Sequence, residues 1–268
     1  MSRLIFLKLG GSVITNKDQT NTPDLQRIDD IARFIKQALN KDAALNLLIG
    51  HGSGSYGHHA ANKYGTRSGV TSHEGWCGFS EVALRARELN QIVMDRLHKC
   101  GINALSISPF SSVQTENSRI TTWDTSIISD CLFHRLVPVI YGDVILDHRL
   151  GGTILSTEEL FSYLALRLHP EKILLAGLEE GIWKDFPQNT QLISEIHPAD
   201  FSDLQAEIKG SSSQDVTGGM FSKVQTMISI IKQLPTVEVQ IFSCQNAGNI
   251  YSTLMGEQKG TLLRNPKG

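Results

Sequence analysis

The chain has 268 residues, 40% of them hydrophobic and 19% charged, an ordinary globular composition long enough for one large domain or two small ones. Its net charge of −2 gives no electrostatic case for nucleic acid or an acidic membrane as the main partner. No apolar run is long enough to cross a bilayer, and Met1-Ser2-Arg3-Leu4-Ile5-Phe6 lacks the layout of a signal peptide, so a cytoplasmic protein is expected. Cys77, Cys100, Cys131 and Cys244 are scattered without CxxC spacing, which predicts free thiols rather than a zinc site or a disulfide framework.

In chain order, Leu4 to Leu9 reads as a buried strand that empties into Gly10-Gly11-Ser12. Lys8 stands beside that junction, and a lysine in a buried strand either snorkels or faces an anion. Apolar residues at Leu25, Ile28, Ile31, Ile35 and Leu39 predict an amphipathic helix, with Pro23 and Asp24 at its start. Leu45 to Gly50 is a second buried strand. It runs into His51-Gly52-Ser53-Gly54-Ser55-Tyr56-Gly57-His58-His59, followed by residues from Ala60 that can begin a helix. A strand, a glycine-rich turn and a helix start together make an anion site, because small residues admit a phosphate and first-turn amides point at it. The spacing is neither Walker A nor the dinucleotide fingerprint, and a histidine stands where a P-loop has lysine.

Residues 64–76, rich in Gly, Ser, Thr and His, predict a loop, and Phe79 to Leu97 a helix. Strands are expected at 104–107 and 137–141, a helix around 125–133, and a hairpin from 144–146 and 153–155. Ser156 followed by Glu159 has capping-box spacing and opens a helix through Leu168. Ile173 to Ala176 is a strand ending in Gly177-Leu178-Glu179-Glu180-Gly181, and residues 189–213 form a polar segment with little to anchor it. Asp215-Val216-Thr217-Gly218-Gly219-Met220 enters a helix from about Phe221 to Leu234. A strand at 237–242, a helix at 249–255 and a strand at 260–263 complete the chain. Alternating strands and helices predict an α/β fold with a mostly parallel sheet covered on both faces, whose ligands bind beyond the carboxyl ends of the strands.

Taken together, Lys8-Leu9-Gly10-Gly11-Ser12, the Gly-Ser-Gly-Ser-Tyr-Gly-His loop, Tyr141-Gly142-Asp143, Ser156-Thr157-Glu158-Glu159, and Asp215-Val216-Thr217-Gly218-Gly219-Met220 with Lys223 resemble the amino acid kinase superfamily in kind and order. The similarity spans nearly the whole chain and is greatest to the isopentenyl phosphate kinases, through His58 in the loop and the Asp-Val-Thr-Gly-Gly-Met string. The fosfomycin kinases, which keep a similar histidine, are the nearest alternative, and a non-catalytic nucleotide-binding regulator is the alternative of another class. The resemblance implies one open αβα sandwich over residues 1–268. The acceptor phosphate is expected on a lobe of about 1–170, and ATP on a lobe of about 171–268. It also implies ATP and Mg2+, a small phosphate-bearing substrate, and a homodimer.

By the same resemblance, Lys8, His58 and Lys17 are the expected catalytic residues. Ser53, His58 and Gly142 are expected at the acceptor phosphate, and Phe79 and Val82 at its isoprenoid tail. Lys8, Gly10, Gly11, Ser12, Gly54, Glu158, Glu180, Thr217, Gly218, Gly219 and Lys223 are expected on the ATP side, with Asp143 orienting the lysines. No residue is assigned as a direct metal ligand. A phosphate neighbour should push His58 toward imidazolium, a cation for an acceptor that is itself an anion. Two departures stand out: Thr157-Glu158-Glu159 and Gly177-Leu178-Glu179-Glu180-Gly181 replace aspartate-bearing strings of many relatives. Each residue also has a structural reading. Glu158 and Glu159 suit a helix N-terminus, worth about 0.3–1 kcal/mol each, His58 could cap its helix, Asp143 could sit in a turn, and Phe79 and Val82 could be core.

Overall fold

The computed structural model describes residues 3–16, 19–202, 204 and 216–266, with His58, Val216, Thr217 and Gly218 as backbone only. One sheet carries the architecture, built from β1 (Arg3–Leu9), β2 (Leu45–His51), β3 (Ala104–Ser106), β6 (Val137–Tyr141), β9 (Lys172–Gly177), β12 (Glu195–Ile196), β13 (Glu238–Ser243) and β14 (Thr261–Leu263). Its order is β12-β14-β13-β9-β1-β2-β6-β3, parallel throughout except where β13 meets β14. Side-chain alternation along each strand sends successive residues to opposite faces. Ile5, Leu7 and Leu9 of β1 therefore join one core and Phe6 the other.

The first core is closed by α2 (Leu25–Lys41), α4 (His73–Lys99) and α8 (Gly248–Leu254), through Ile28, Ile31, Ile35, Leu89, Val93, Ile250 and Leu254. The second is closed by α5 (Ser126–Phe133), α6 (Thr157–Leu168) and α7 (Val216–Gln233), through Ile128, Leu160, Phe161, Leu164, Met227 and Ile231. This is the expected open α/β sandwich. A second sheet, β5-β4-β7-β8, is formed by β4 (Val113–Glu116), β5 (Arg119–Trp123), β7 (Asp143–Asp147) and β8 (Gly151–Leu155). A two-stranded hairpin joins β10 (Ile182–Trp183) to β11 (Leu192–Ile193).

The differences from expectation are local. The helix after the glycine loop, α3 (Gly54–Tyr64), starts inside the loop rather than at Ala60. α4 begins at His73, capped by the Ser72 hydroxyl, so the loop expected at 64–76 is shortened at its end and carries a short 3-10 turn at Thr66–Ser68. β4 and β5 were not predicted, because their sequences are mostly polar and half-exposed. Their turn has Asn117 and Ser118 at positive φ and is tied down by Asp147, whose carboxylate accepts from the amides of Asn117, Ser118, Arg149 and Leu150. α7 begins at Val216, which brings Thr217 to Gly219 into its first turn.

Candidate active site

Lys8 lies one residue before the end of β1, on the same face as Phe6 and so beneath α6. Its ammonium group donates to Glu158 Oε1 at 2.6 Å, and both side chains are less than a tenth exposed. α6 can come this close because its neighbour across β2 is Gly50, in register with Lys8. A Cβ there would lie 2.8 Å from two ring carbons of Phe161. Burial alone would raise the Glu158 carboxyl, but the charges of Lys8 and Lys223 hold it below its ordinary range. Glu158 thus holds one of the expected phosphate-facing lysines, Lys8 on β1, and feels the charge of another, Lys223 on α7. Its neighbour does something different. Glu159 completes the capping box with Ser156 and pairs with Arg67, so the helix-terminus reading suits Glu159 and the charge-organising one suits Glu158.

The two glycine junctions are built as one unit. Gly11, opening α1 (Gly11–Ile14), would with a Cβ lie 2.6 Å from the Cα of Gly54, and a Cβ on Gly54 would lie 2.6 Å from the Gly11 carbonyl. Gly54 also sits at φ +49°, where a side chain would be strained. Thr15 stitches the junctions together, its hydroxyl donating to the Gly11 carbonyl at 2.8 Å and accepting from the Ser55 amide at 3.0 Å. The Gly10 amide is already bonded to the Ala176 carbonyl. Gly11 and Ser12, at the start of α1, are therefore the members of this turn whose amides begin a helix.

On the other side of β2, β6 leads through Gly142 into β7. The Gly142 amide donates to the His51 carbonyl at 3.1 Å, so that amide is already committed. Asp143 is buried and accepts from the Ser108 hydroxyl at 3.2 Å, the Phe110 amide at 3.4 Å and its neighbour Val144 at 2.9 Å. Burial pushes its carboxyl up to about 6, against those hydrogen bonds and the nearby Arg87 charge. The carboxylate bonded to Lys8 is Glu158, while Asp143, which follows β6, turns toward Ser108; Lys17, another lysine that Asp143 was expected to orient, lies outside the described residues. Phe79 and Val82 are buried in a small core cluster with Ala60, Val70 and Val144, as the structural reading had it. Phe79 meets Trp76 and Phe110 edge-on at 5.3 and 6.1 Å, and those two rings are the partly exposed members of the group.

Ser53 precedes α3 and Gly54 opens it, with His58 on the same helix. The His58 side chain lies outside the described residues. Lys17 also lies outside them, as does the side chain of Thr217, and Gly218 is described only as backbone in α7. Gly219 is exposed in the first turn of α7, and Glu180 is exposed in the turn between β9 and β10. Residues that sequence reasoning missed include Thr15, Arg87, Asn90 and Ser108, none of which carries a motif. The one available signal was Lys8 itself, whose burial demands a counter-ion. Among the described residues, no group of three or more His, Cys, Asp or Glu could hold a metal ion, and Glu158 is taken by Lys8. The described side chains do not build a magnesium site. No described helix is long and apolar enough to cross a membrane.

This arrangement, a buried lysine–glutamate pair where two glycine turns meet, agrees with comparisons to known proteins. The amino acid kinase family model matches residues 3–243. The isopentenyl phosphate kinase of Methanothermobacter thermautotrophicus is 34% identical over 270 residues, covering 97% of this chain and 98% of that protein. That of Methanocaldococcus jannaschii is 34% identical over 269 residues, with the same coverage of both. An isopentenyl phosphate kinase solved by X-ray crystallography superposes with a TM-score of 0.82 at 31% identity, covering 97% of this chain and 100% of that one. The chain belongs to the amino acid kinase family and, within it, to the isopentenyl phosphate kinases.

Proposed function

We propose that the protein transfers the γ-phosphate of ATP to isopentenyl phosphate, giving isopentenyl diphosphate and ADP. The observation that carries this reading is the buried Lys8–Glu158 pair at the sheet's carboxyl edge, with the charge of Lys223 beside it, in a chain that matches isopentenyl phosphate kinases over nearly its full length. Phosphoryl transfer asks a protein mainly to position two anions and offset their charge. An oxygen of the acceptor phosphate attacks the γ-phosphorus as the bond to the β,γ-bridging oxygen breaks, and ADP departs with that electron pair. The attacking oxygen is already ionised, so no base is needed. Lys8 is suited to the transferring group because Glu158 fixes its ammonium, and Lys223 to the ATP phosphates. Glu158 therefore acts on ATP through the lysines.

In this reading the acceptor lies over the portion of about residues 1–170 and ATP over about 171–268. His58, as imidazolium, grips the acceptor phosphate together with Ser53 and Gly142, whose contact comes from atoms other than its committed amide. Lys17 joins Lys8 at the transferring group. Gly11, Ser12, Gly54, Thr217, Gly218 and Gly219 serve the nucleotide. Mg2+ would arrive with ATP and offset charge on its phosphates; no group of three or more described His, Cys, Asp or Glu could hold it. A cytoplasmic homodimer completes the proposal.

The test is acceptor-dependent ADP release with isopentenyl phosphate, fosfomycin and no acceptor side by side. Efficient release with isopentenyl phosphate alone is expected. Preference for the phosphonate would overturn the acceptor assignment, and ATP binding without acceptor-dependent release would overturn catalysis altogether.

A further inference from the structure

His51 ends β2, and none of the chemistry above uses its ring. The residue is fully buried, on the α4 face of the sheet and so opposite to Lys8. Its ring lies nearly parallel to that of Tyr141, 5.5 Å away. Nδ1 stands 3.0 Å from the Gly52 carbonyl oxygen, and Nε2 stands 3.2 Å from Oδ1 of Asn90 on α4, whose Nδ2 donates to the Ser106 hydroxyl at 2.7 Å. The His51 carbonyl accepts from the Thr157 hydroxyl at 2.7 Å and from the Gly142 amide at 3.1 Å. The glycine loop, the first residue of α6, the turn before Asp143 and the middle of α4 all meet on this one residue.

The protonation state follows from the partners. A carbonyl can only accept, so Nδ1 carries the hydrogen that faces Gly52. Burial holds the imidazole below its ordinary pKa, with the Lys8 charge adding to the effect, so the ring is neutral and Nε2 is an acceptor. Asn90 Oδ1 faces Nε2 while Asn90 Nδ2 faces the Ser106 hydroxyl; a neutral ring donating from Nδ1 requires that amide turned end for end, which keeps its shape and gives Nε2 a donor and the Ser106 hydroxyl an acceptor. Gly52 is the hinge of the glycine loop. Its amide donates to the Leu9 carbonyl at 3.0 Å, and a Cβ on it would lie 2.9 Å from the Gly11 nitrogen. The orientation of the Gly52 peptide therefore sets where Ser53 and Gly54 stand relative to Gly11 and the end of β1.

We propose that His51 is a positioning residue for phosphoryl transfer: its neutral ring, donating from Nδ1 to the Gly52 carbonyl, fixes the glycine loop against the strand end that bears Lys8. The proposal rests on the kinase reading for its kinetic test, but not for its spectroscopic one. His51→Asn keeps an amide nitrogen about where Nδ1 stands, and His51→Gln keeps one about where Nε2 stands. Both lose the stacked ring, so both should lower the melting temperature by similar amounts, and a purely space-filling histidine would give them equal kcat.

His51→Asn is expected to hold kcat within about fivefold of wild type while His51→Gln loses about 10- to 100-fold, with KM for ATP little changed in either, as a small misplacement of reacting groups would produce. Equal kcat in the two variants would overturn the proposal. Independently, 15N–1H spectra of the wild-type ring at about pH 7 should show a neutral imidazole with its proton on Nδ1. A proton on Nε2, or on both nitrogens, would overturn it. Should wild type release no ADP with isopentenyl phosphate, the kinase reading fails, and these spectra still decide what His51 does.

Discussion

Two buried carboxylates sit either side of β2 and behave in opposite ways. Glu158, in the first turn of α6, receives an ammonium group at 2.6 Å and is held below its ordinary pKa by Lys8 and Lys223. Asp143, after β6, is met chiefly by a hydroxyl and two backbone amides, and burial pushes it up to about 6. The difference lies in the partners. Neutral dipoles satisfy hydrogen-bonding capacity without cancelling the cost of an isolated buried charge, whereas a cation in contact does cancel it. The Glu158 site is thus a fixed array of opposite charges suited to phosphates, whereas Asp143, beside Phe110, carries its charge at neutral pH with only dipoles in contact and gives it up on mild acidification.

The contrast can be broken most severely at Lys8. Lys8→Met leaves Glu158 buried without the ammonium in contact with it. We expect kcat to fall about 10²–10³-fold and stability to drop by an amount approaching about 3 kcal/mol, softened by Lys223. ADP release and urea titration measure the two effects, and a stable, active variant would mean the pair is incidental. A second intervention sharpens the comparison through pH. Between about pH 4 and pH 6 the folded protein binds a proton at Asp143 that the unfolded chain has released, so this residue makes stability fall as pH rises, by about 3 kcal/mol over the window.

Glu158 has the opposite sign, because its contribution is present above its unfolded pKa and lost as pH falls through the lower folded value. Asp143→Asn should therefore remove the falling component and leave stability nearly level in urea titrations from about pH 5 to about pH 6, falling off only below the ordinary carboxylate range. An unchanged profile would contradict the raised carboxyl. The smallest effect is expected at Thr157→Val, which deletes the hydroxyl bonded to the His51 carbonyl and should cost about 1 kcal/mol in the same assay. A neutral result would show that α6 is placed by packing on Gly50 alone.

Much of this was legible in the sequence, and the limits have physical causes. Apolar runs gave β1, β2, β6, β9 and β13, and the Ser156–Glu159 spacing gave the start of α6, because these signals are local. A lysine within a buried strand announced that an anion was needed. It could not say which, since its counter-ion lies 150 residues along the chain. The same spacing rule could not divide Glu158 from Glu159. Only the packing of α6 on Gly50 shows that one faces Lys8 while the other caps the helix. β4 and β5 escaped because polar, half-exposed strands lack an apolar alternation, and what holds their turn is Asp147, some 30 residues away. Asp143 was assigned to the lysines on the strength of its motif, and its actual partners, Ser108 and Phe110, carry none.

The most direct measurement is the steady-state kinetics of Glu158→Gln with ATP and isopentenyl phosphate. The amide keeps the shape and one acceptor but removes the charge that fixes Lys8. Expected is a kcat about 100-fold below wild type with both KM values within about threefold, the mark of lost positioning rather than lost binding. A variant with wild-type kcat would contradict the claim that this carboxylate organises the lysines for phosphoryl transfer.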